Sequence, residues 1–344
     1  MRILDQALAS LGLQTPAAQW PPRRLSLALQ GGGSFGAFTW GALEQLLDHR
    51  EIAFDAISGV SAGAVNAALV ASGLLEGGRA AAKARLESFW RRMSRAAAFM
   101  PNPALADSPL GLIGRTLSPY LVNPFNLNPL REALVAEVDF ARLRAASPVR
   151  LLIGATRVSD GALRVFSEAE ISLDVVLASA CLPLIHHTIE INGEPYWDGG
   201  YAANPPLLAL AAATRADHIL VVQATPSTVD HLPTTPAEIA RRVERIQFNA
   251  TLNAELAALR YAKLSGATPK LRRLRVGRIS AQDGVAGLED ERADNLGAGF
   301  LSRLRDSGRA EVEAWLAQAA PGRSGLSPFI APPEDAAGRA GAAS

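Results

Sequence analysis

Short apolar runs alternate with amphipathic stretches along most of the chain, and these two patterns predict strands and helices in turn. RLSLALQ at residues 24–30 and FDAISGV at residues 54–60 are short apolar runs at or before glycines, which is typical of buried strands. Two more runs of strand length are VRLLIGATRV at residues 149–158 and HILVVQAT at residues 218–225. Strands that alternate with helices favour an α/β fold with a mostly parallel sheet covered on both faces.

Three stretches show helical patterns, two of them between these runs and one after the last run. GAFTWGALEQLLDHR at residues 36–50 repeats apolar side chains every four positions, and AGAVNAALVASG at residues 62–73 is a run of small residues closed by a glycine. Residues 236–264 form a long amphipathic pattern. Three arginines of that pattern are predicted to lie on a solvated face: Arg241, Arg242 and Arg245.

The sequence LALQGGGSFGAF contains three consecutive glycines between a predicted strand and a predicted helix. Such a turn lets backbone N–H groups face a negative charge. Gly31, Gly33 and Gly36 satisfy G-x-G-x-x-G, so one interpretation is a dinucleotide-binding loop. The other is an oxyanion hole, which stabilises a charge that exists only during a reaction.

A second motif, GVSAG at Gly59 to Gly63, follows the second strand and opens a helix. This is the context of a nucleophile elbow, in which Ser61 is exposed above the sheet and Gly59 and Gly63 permit the tight turn. A dinucleotide site needs an acidic residue at the carboxyl end of the second strand. Asp55 follows Gly36 by 19 residues but lies near the start of that strand, so the oxyanion interpretation is favoured.

Composition excludes several classes of protein. Of 344 residues, 49% are hydrophobic and 19% charged, and the net charge of +1 offers no electrostatic footprint for nucleic acid. The single cysteine, Cys181, excludes an intramolecular disulfide framework and is predicted to be a buried thiol. The N-terminus has no signal-peptide pattern and no window is long enough to span a membrane. These features predict a protein that is cytoplasmic or peripheral to a membrane, and a secretion route that needs no cleaved signal stays open.

A nucleophilic serine needs a base, and the histidines are His49, His186, His187, His218 and His231. The order of an ordinary α/β-hydrolase triad is available as Ser61, Asp198 and either His218 or His231. However, His218 directly precedes a strand, which places it at the amino edge of the sheet, and His231 lies in a polar loop. His49 ends a helix, where a cation complements the dipole.

Asp198 is another candidate for the base. It lies after an Asn192-Gly193 hairpin signal in the stretch ASACLPLIHHTIEINGEPYWDGGYAANPPL. Together with GGGSFG and GVSAG this stretch resembles the patatin-like phospholipase family, from about Leu25 to Val222. The loop is most similar to a bacterial subgroup with GGGALGAY at this point. The resemblance implies a three-layer α/β/α sandwich with a mostly parallel central sheet and a serine nucleophile elbow.

The resemblance also implies a Ser–Asp dyad without histidine, in which Ser61 is the nucleophile and Asp198 the base. Asp198 belongs to a D-G-G motif completed by Gly199 and Gly200. The implied oxyanion hole consists of Gly31, Gly32 and Gly33 with the adjacent Ser34. One departure is Phe35, where many family members carry Arg or Lys, so the preference for a phospholipid head group is left open. Asn204 is interpreted as structural support.

The implied function is a lipid acyl hydrolase that cleaves carboxylic esters through an acyl-enzyme and releases a fatty acid. We expect a lipid or acyl-ester substrate, contact with a membrane or lipid-aggregate surface, no nucleic acid and no cofactor or metal. The true substrate and the oligomeric state stay open. The alternatives are a binding or regulatory protein whose hydrolase-like site is unused, and the dinucleotide-binding oxidoreductase.

The composition along the chain predicts a division into segments. Residues 1–22 form an arm, residues 23–225 the catalytic domain, residues 226–321 a helical extension packed on it, and residues 322–344 a disordered tail. Residues 96–130 are apolar and rich in Pro and Asn. They are interpreted either as a mobile cover over the acyl pocket that meets the membrane, or as a cap packed permanently on the core.

Overall fold

The computed structural model describes residues 20–97, 118–266 and 268–318. Its strands are β1 (Arg24–Leu29), β2 (Ala53–Gly59), β3 (Arg150–Arg157), β4 (Leu163–Ser167), β5 (Ile189–Ile191), β6 (Glu194–Asp198), β7 (His218–Gln223) and β8 (Arg275–Ser280). Within the described ranges they form one sheet in the order β5-β6-β3-β2-β1-β7-β8, with β4 paired to β3.

The helices cover most of the sequence between the strands. They are α1 (Gly36–Asp48), α2 (Ala62–Ala97), α3 (Pro119–Val122), α4 (Pro129–Glu137), α5 (Phe140–Ala146), α6 (Leu173–Ser179), α7 (Leu207–Ala213), α8 (Pro236–Leu264), α9 (Pro269–Arg273), α10 (Ala281–Gly284) and α11 (Ala298–Ala317). The predicted end of α2 at Gly73 is wrong. The helical path breaks only at Gly77 and Gly78, and Gly73 instead permits close packing on Ala82, where a Cβ would overlap the backbone.

The central strands β3, β2, β1, β7 and β8 are parallel neighbours, whereas β4, β5 and β6 pair antiparallel. The predicted mostly parallel sheet is therefore confirmed. Because parallel strands end at the same edge of a sheet, the residues that follow β1, β2 and β7 meet there.

Alternate side chains of the central strands pack on opposite faces of the sheet. On β1, Leu27 and Leu29 belong to the larger apolar core, whereas Ala28 belongs to the smaller one. The larger core is closed by α1, α2 and α11, and the smaller by α7 and α8. Helices thus cover both faces, giving the three-layer α/β/α arrangement that the resemblance implies.

The segment after residue 225 contains more than helices. β8 pairs with β7 along its whole length, and α11 packs closely on α1 at Gly41 and Gly308. Arg305 of α11 also forms a 2.7 Å ion pair with the buried Glu44 of α1. The strand was missed because β8 lies at the sheet edge, where Arg275 and Arg278 interrupt its apolar pattern. The segment thus completes the sheet.

Several predicted segments fall on or outside the limits of the described residues. Of the N-terminal arm only its last residues are described, and there Trp20 donates to the carbonyl of Leu316 at 2.8 Å. Residues 98–117 of the predicted cover and all of residues 322–344 lie outside the described ranges. Within those ranges, none of the helices combines the length and apolar character that crossing a bilayer requires.

Candidate active site

Ser61 lies in the tight turn between β2 and α2. Its φ angle is 54°, a left-handed value that is uncommon for a residue other than glycine and that marks a functional constraint. The glycines at Gly59 and Gly63 are required by space, since a Cβ on Gly59 would lie 2.6 Å from the carbonyl oxygen of Gly63. The turn has the strand–turn–helix geometry of a nucleophile elbow.

The register of the sheet brings Asp198 to the level of Ser61. Gly59 is opposite Ile153 in the parallel pair of β2 and β3, and Asp198 is opposite Ala155 in the antiparallel pair of β6 and β3. Ser61 and Ala155 each lie two residues beyond the first pair. The two residues that the sequence analysis selected therefore meet at the carboxyl edge of the central strands.

The carboxylate of Asp198 is fully buried. Its Oδ1 accepts a hydrogen bond from the N–H of Gly200 at 2.8 Å, and its backbone carbonyl accepts from the hydroxyl of Thr156 at 2.7 Å. The Ser61 hydroxyl interacts with the carboxylate, but Oδ2 has no partner at full hydrogen-bond geometry among the described residues. This oxygen is available to accept a proton.

Burial raises the pKa of Asp198 from its ordinary value of 3.8 to about 7. The N–H of Gly200 and the hydroxyl of Ser61 oppose this shift because they stabilise the ionised form, whereas the charge of Glu244 adds to it. A carboxylate with a pKa near neutrality can both take up and return a proton at neutral pH, which general acid–base catalysis requires.

Residues at the end of α6 connect the two candidate catalytic residues. The N–H of Ser61 lies 3.0 Å from Oγ and 3.1 Å from the carbonyl oxygen of Ser179. The N–H of Asp198 donates to the carbonyl of Cys181 at 2.8 Å. The Cys181 thiol is buried, as predicted, and burial raises its pKa to about 11. Sequence reasoning missed Ser179, whose role depends on a contact between distant segments.

The glycine loop after β1 contacts the nucleophile elbow directly. A Cβ on Gly31 would lie only 2.8 Å from the Cβ of Ser61 and 2.9 Å from the carbonyl oxygen of Val60. Gly32 and Gly33 have φ angles of 152° and 58°, which L side chains rarely adopt. The loop that the sequence analysis selected is therefore beside Ser61, at the same edge of the sheet.

Two amides of this loop are already used within the protein. The N–H of Gly31 donates to Oδ1 of Asn204 at 2.7 Å, and the N–H of Ser34 donates to the carbonyl of Ala293 at 2.7 Å. In the described part of the chain, the N–H groups of the two residues between them have no acceptor. Of the four residues predicted from the sequence to form an oxyanion hole, Gly32 and Gly33 are thus the two whose amides have no acceptor in the described part of the chain.

Three of the five histidines named in the sequence analysis, His218, His231 and His49, have their contacts with other parts of the protein. His218 begins β7, at the amino edge of the sheet, where it packs beside Trp20. His231 is half exposed and lies 3.9 Å from Asp290, and Nδ1 of His49 lies 3.0 Å from Glu51. In the described residues, none of the histidines hydrogen-bonds with either candidate catalytic side chain.

The features expected of a dinucleotide or metal site are not brought together. Asp55 lies near the start of β2, where its carboxylate accepts from the N–H of Arg215 at 2.6 Å and from the hydroxyl of Thr214 at 3.1 Å. These contacts lie at the edge opposite to the glycine loop. Within residues 20–97, 118–266 and 268–318, no three His, Cys, Asp or Glu side chains are grouped as metal ligands.

The prediction that Arg245 lies on a solvated face is wrong. Its side chain is buried, and its guanidinium donates to the carbonyls of Glu289 and Glu291. It also lies 5.9 Å from the centre of the Phe35 ring. Burial lowers its pKa. Arg245 thus anchors the segment that contributes Ala293 to the glycine loop.

Comparisons with known proteins give remote structural similarities. VipD from Legionella pneumophila is 17% identical with a TM-score of 0.42, and the alignment covers 86% of this chain and 67% of that chain. The ExoU chain in its complex with SpcU from Pseudomonas aeruginosa is 15% identical with a TM-score of 0.35, covering 88% and 53%. The chain thus spans about half the length of ExoU. A comparison with curated proteins finds no match.

A family model gives the assignment. The model for patatin-like phospholipases matches residues 27–211, which is more than half of the chain. The matched range contains the glycine loop, the nucleophile elbow and the D-G-G motif. Membership supports a lipid hydrolase activity. On this match, and with the α/β fold described above, the chain belongs to the patatin-like phospholipase family.

Proposed function

We propose that the protein is a lipid acyl hydrolase that cleaves carboxylic esters with a Ser61–Asp198 dyad. The hydroxyl oxygen of Ser61 attacks the ester carbonyl carbon while Oδ2 of Asp198 accepts its proton. The tetrahedral intermediate collapses, the alcohol leaves with that proton, and the acyl group stays on Ser61. Water, deprotonated by Asp198, then attacks the acyl-enzyme, releases the fatty acid and restores the serine.

The observation that carries this proposal is Oδ2 of the buried Asp198, which has no hydrogen-bond partner among the described residues and lies beside the hydroxyl of a serine held at a positive φ angle. A buried polar atom without a partner is costly, so its retention calls for a functional explanation. A proton-accepting role supplies one. The negative oxygen of the intermediate would be stabilised by the amides of Gly32 and Gly33.

The proposed activity is tested by turnover of p-nitrophenyl esters of several acyl chain lengths. We expect hydrolysis to depend on chain length, because an apolar acyl group gains about 0.8 kcal/mol for each CH₂ removed from water. Absence of turnover by the folded protein on all soluble and aggregated esters would contradict the proposal and favour a binding role.

The value of kcat/KM is expected to depend on pH through the ionisation of Asp198. Asp198 must be ionised to accept a proton, and its pKa is about 7. We therefore expect kcat/KM to fall tenfold per unit as the pH drops below about 7, and to level off above it. The measurement is p-nitrophenyl butyrate hydrolysis followed at the isosbestic wavelength of nitrophenol. If kcat/KM did not change with pH through neutrality, the expected titration of Asp198 would be contradicted. If the residual activity of Asp198→Asn fell in the same way below pH 7, the titration would belong to another group.

An exposed apolar surface beside the site is a candidate entrance for lipid. Two segments contribute to it, and they are joined where Tyr120 stacks on His187 with ring centres 4.2 Å apart. The exposed apolar side chains in these segments are Tyr120, Leu121, Phe125, Leu127, Leu184 and Ile185. We define this set as the apolar entrance surface. Cys181 connects this surface to Asp198, because its thiol donates to the carbonyl of His187 at 3.2 Å and its own carbonyl accepts from the N–H of Asp198 at 2.8 Å.

The second prediction tests this surface with Phe125→Asp. Phe125 is 84% exposed, so the change should leave stability unaltered. We expect a much larger loss of activity on phospholipid vesicles than on p-nitrophenyl butyrate, because a charge there opposes contact with acyl chains. Leu264→Asp is the matched control, since Leu264 is 78% exposed. It lies near the amino edge of the sheet, because the neighbouring Lys263 donates to the carbonyl of Leu274, directly before β8. Equal losses on both substrates would contradict the lipid-surface role.

A further inference from the structure

Thr225 lies below the glycine loop, two residues beyond the end of β7. Its side chain is almost fully buried. The hydroxyl donates a 2.9 Å hydrogen bond to the carbonyl of Gly31, and its N–H donates to Oε1 of Gln30 at 2.9 Å. A Cβ on Gly32 would lie only 2.6 Å from this hydroxyl. Thr225 therefore supports the loop from the strand next to β1.

The bond to Gly31 determines where the next amide points. A trans peptide is planar, and its C=O and N–H groups point in opposite directions. The carbonyl of Gly31 and the N–H of Gly32 belong to the same peptide. Holding the carbonyl on Thr225 therefore turns the N–H of Gly32 away from Thr225. Since Asn204 accepts a hydrogen bond from the N–H of Gly31, the peptide groups before and after Gly31 are both held by side chains.

Thr225 is itself held by a network of buried amide side chains, which it contacts through Gln30. Oδ1 of Asn249 accepts from Nε2 of Gln30 at 3.1 Å and from Nε2 of Gln223 at 2.9 Å. Nδ2 of Asn249 donates to the carbonyl of Pro226 at 3.0 Å. All three amide side chains are buried. A satisfied buried network of this kind is rigid, so Thr225 has little freedom to move.

We propose that Thr225 is a positioning residue whose hydroxyl aims the Gly32 amide at the oxyanion. The inference rests on the proposed function, because it assigns Gly32 as a donor. Without the hydroxyl, the Gly31–Gly32 peptide can rotate, since glycines on both sides permit many backbone conformations. The donor is then misdirected in the transition state, while substrate binding is little affected.

The test compares Thr225→Val, which removes the hydroxyl at nearly constant shape, with Thr225→Ser, which retains it. We expect Thr225→Val to lower kcat on p-nitrophenyl butyrate by up to about 10²–10³, the effect of losing one oxyanion donor, with KM nearly unchanged. Thr225→Ser should retain most of the activity. The rate constant for fluorophosphonate labelling of Ser61 should follow the same order, because the phosphonyl oxygen uses the same donors.

A matched control separates positioning from stability. Thr214 is a buried threonine at the opposite edge of the sheet, where its Oγ1 lies 2.7 Å from Oγ of Ser26. Thr214→Val should lower the thermal midpoint but leave kcat unchanged. Normal kcat and labelling in Thr225→Val, or equal losses in Thr225→Val and Thr225→Ser, would overturn the inference. Full activity of Ser61→Ala would instead overturn the proposed function.

Discussion

Ser61→Ala is expected to abolish nearly all ester hydrolysis, because the proposed mechanism has no acyl-enzyme without the hydroxyl. Removing a nucleophile that acts with its base costs on the order of 10⁶ in kcat in a comparable hydrolase. The measurement is kcat on p-nitrophenyl butyrate and on phospholipid vesicles, with purified protein. Loss of both activities is expected, since the same atom attacks either substrate.

The fold of this variant should be intact. The substituted alanine would occupy the same left-handed conformation as Ser61, so the strain of the turn is unchanged. The N–H at this position also keeps both of its acceptors on Ser179. Circular dichroism and the thermal midpoint serve as controls. Substantial turnover by a correctly folded Ser61→Ala protein would contradict its role as nucleophile.

Asp198→Asn is expected to remove activity nearly as completely, because the amide cannot take the proton of Ser61. The double variant Ser61→Ala/Asp198→Asn should be little worse than either single variant, since residues that act as a unit are strongly non-additive. His218→Gln and His231→Gln are the matched controls and should retain substantial activity. A loss in either histidine variant equal to that of Ser61→Ala would indicate an ordinary Ser–Asp–His triad.

The same substitution of Asp198 should not weaken the fold above neutral pH. The pKa of Asp198 is about 7 in the folded protein and near 3.8 in an exposed chain. At pH values between about 3.8 and 7, Asp198 is protonated in the folded state and ionised in the unfolded state. The free energy of unfolding therefore falls as the pH rises through this range. A neutral asparagine side chain at this position has no such cost. We expect the thermal midpoint of Asp198→Asn to equal or exceed that of the parent at alkaline pH.

The sequence predicted the parts of the fold that depend on local pattern. The strands β1, β2 and β7 are short apolar runs, and the nucleophile elbow needs two glycines around Ser61 because of the space at a single turn. These signals are contained in a few consecutive residues. They were therefore sufficient to place the glycine loop and Ser61 at one edge of a parallel sheet.

The parts that escaped prediction depend on contacts between distant segments. β8 lies at a sheet edge and carries arginines, so its pattern does not indicate a strand. Arg245 looks like a surface residue of an amphipathic helix, yet it binds carbonyls in a segment more than forty residues away. Ser179 and Thr225 have no local signature, because each acts through a hydrogen bond to another element.

The glycine loop combines a feature that its sequence predicts with one that depends on distant contacts. Its sequence predicts amides that face a negative charge, but it does not indicate which amides are free. Asn204 and Ala293 engage the amides of Gly31 and Ser34, and both come from remote parts of the chain. The available donors on Gly32 and Gly33 are therefore evident only from the three-dimensional arrangement.

The dyad is tested most directly by reaction with a fluorophosphonate and mass spectrometry of the labelled peptides. In the proposed mechanism, attack by Ser61 on phosphorus expels fluoride while Asp198 accepts the serine proton. With this mechanism we expect one label per chain, on Ser61, with none in Ser61→Ala and much slower labelling in Asp198→Asn. Labelling of Ser61 at an unchanged rate in Asp198→Asn, or labelling only at another residue, would contradict it.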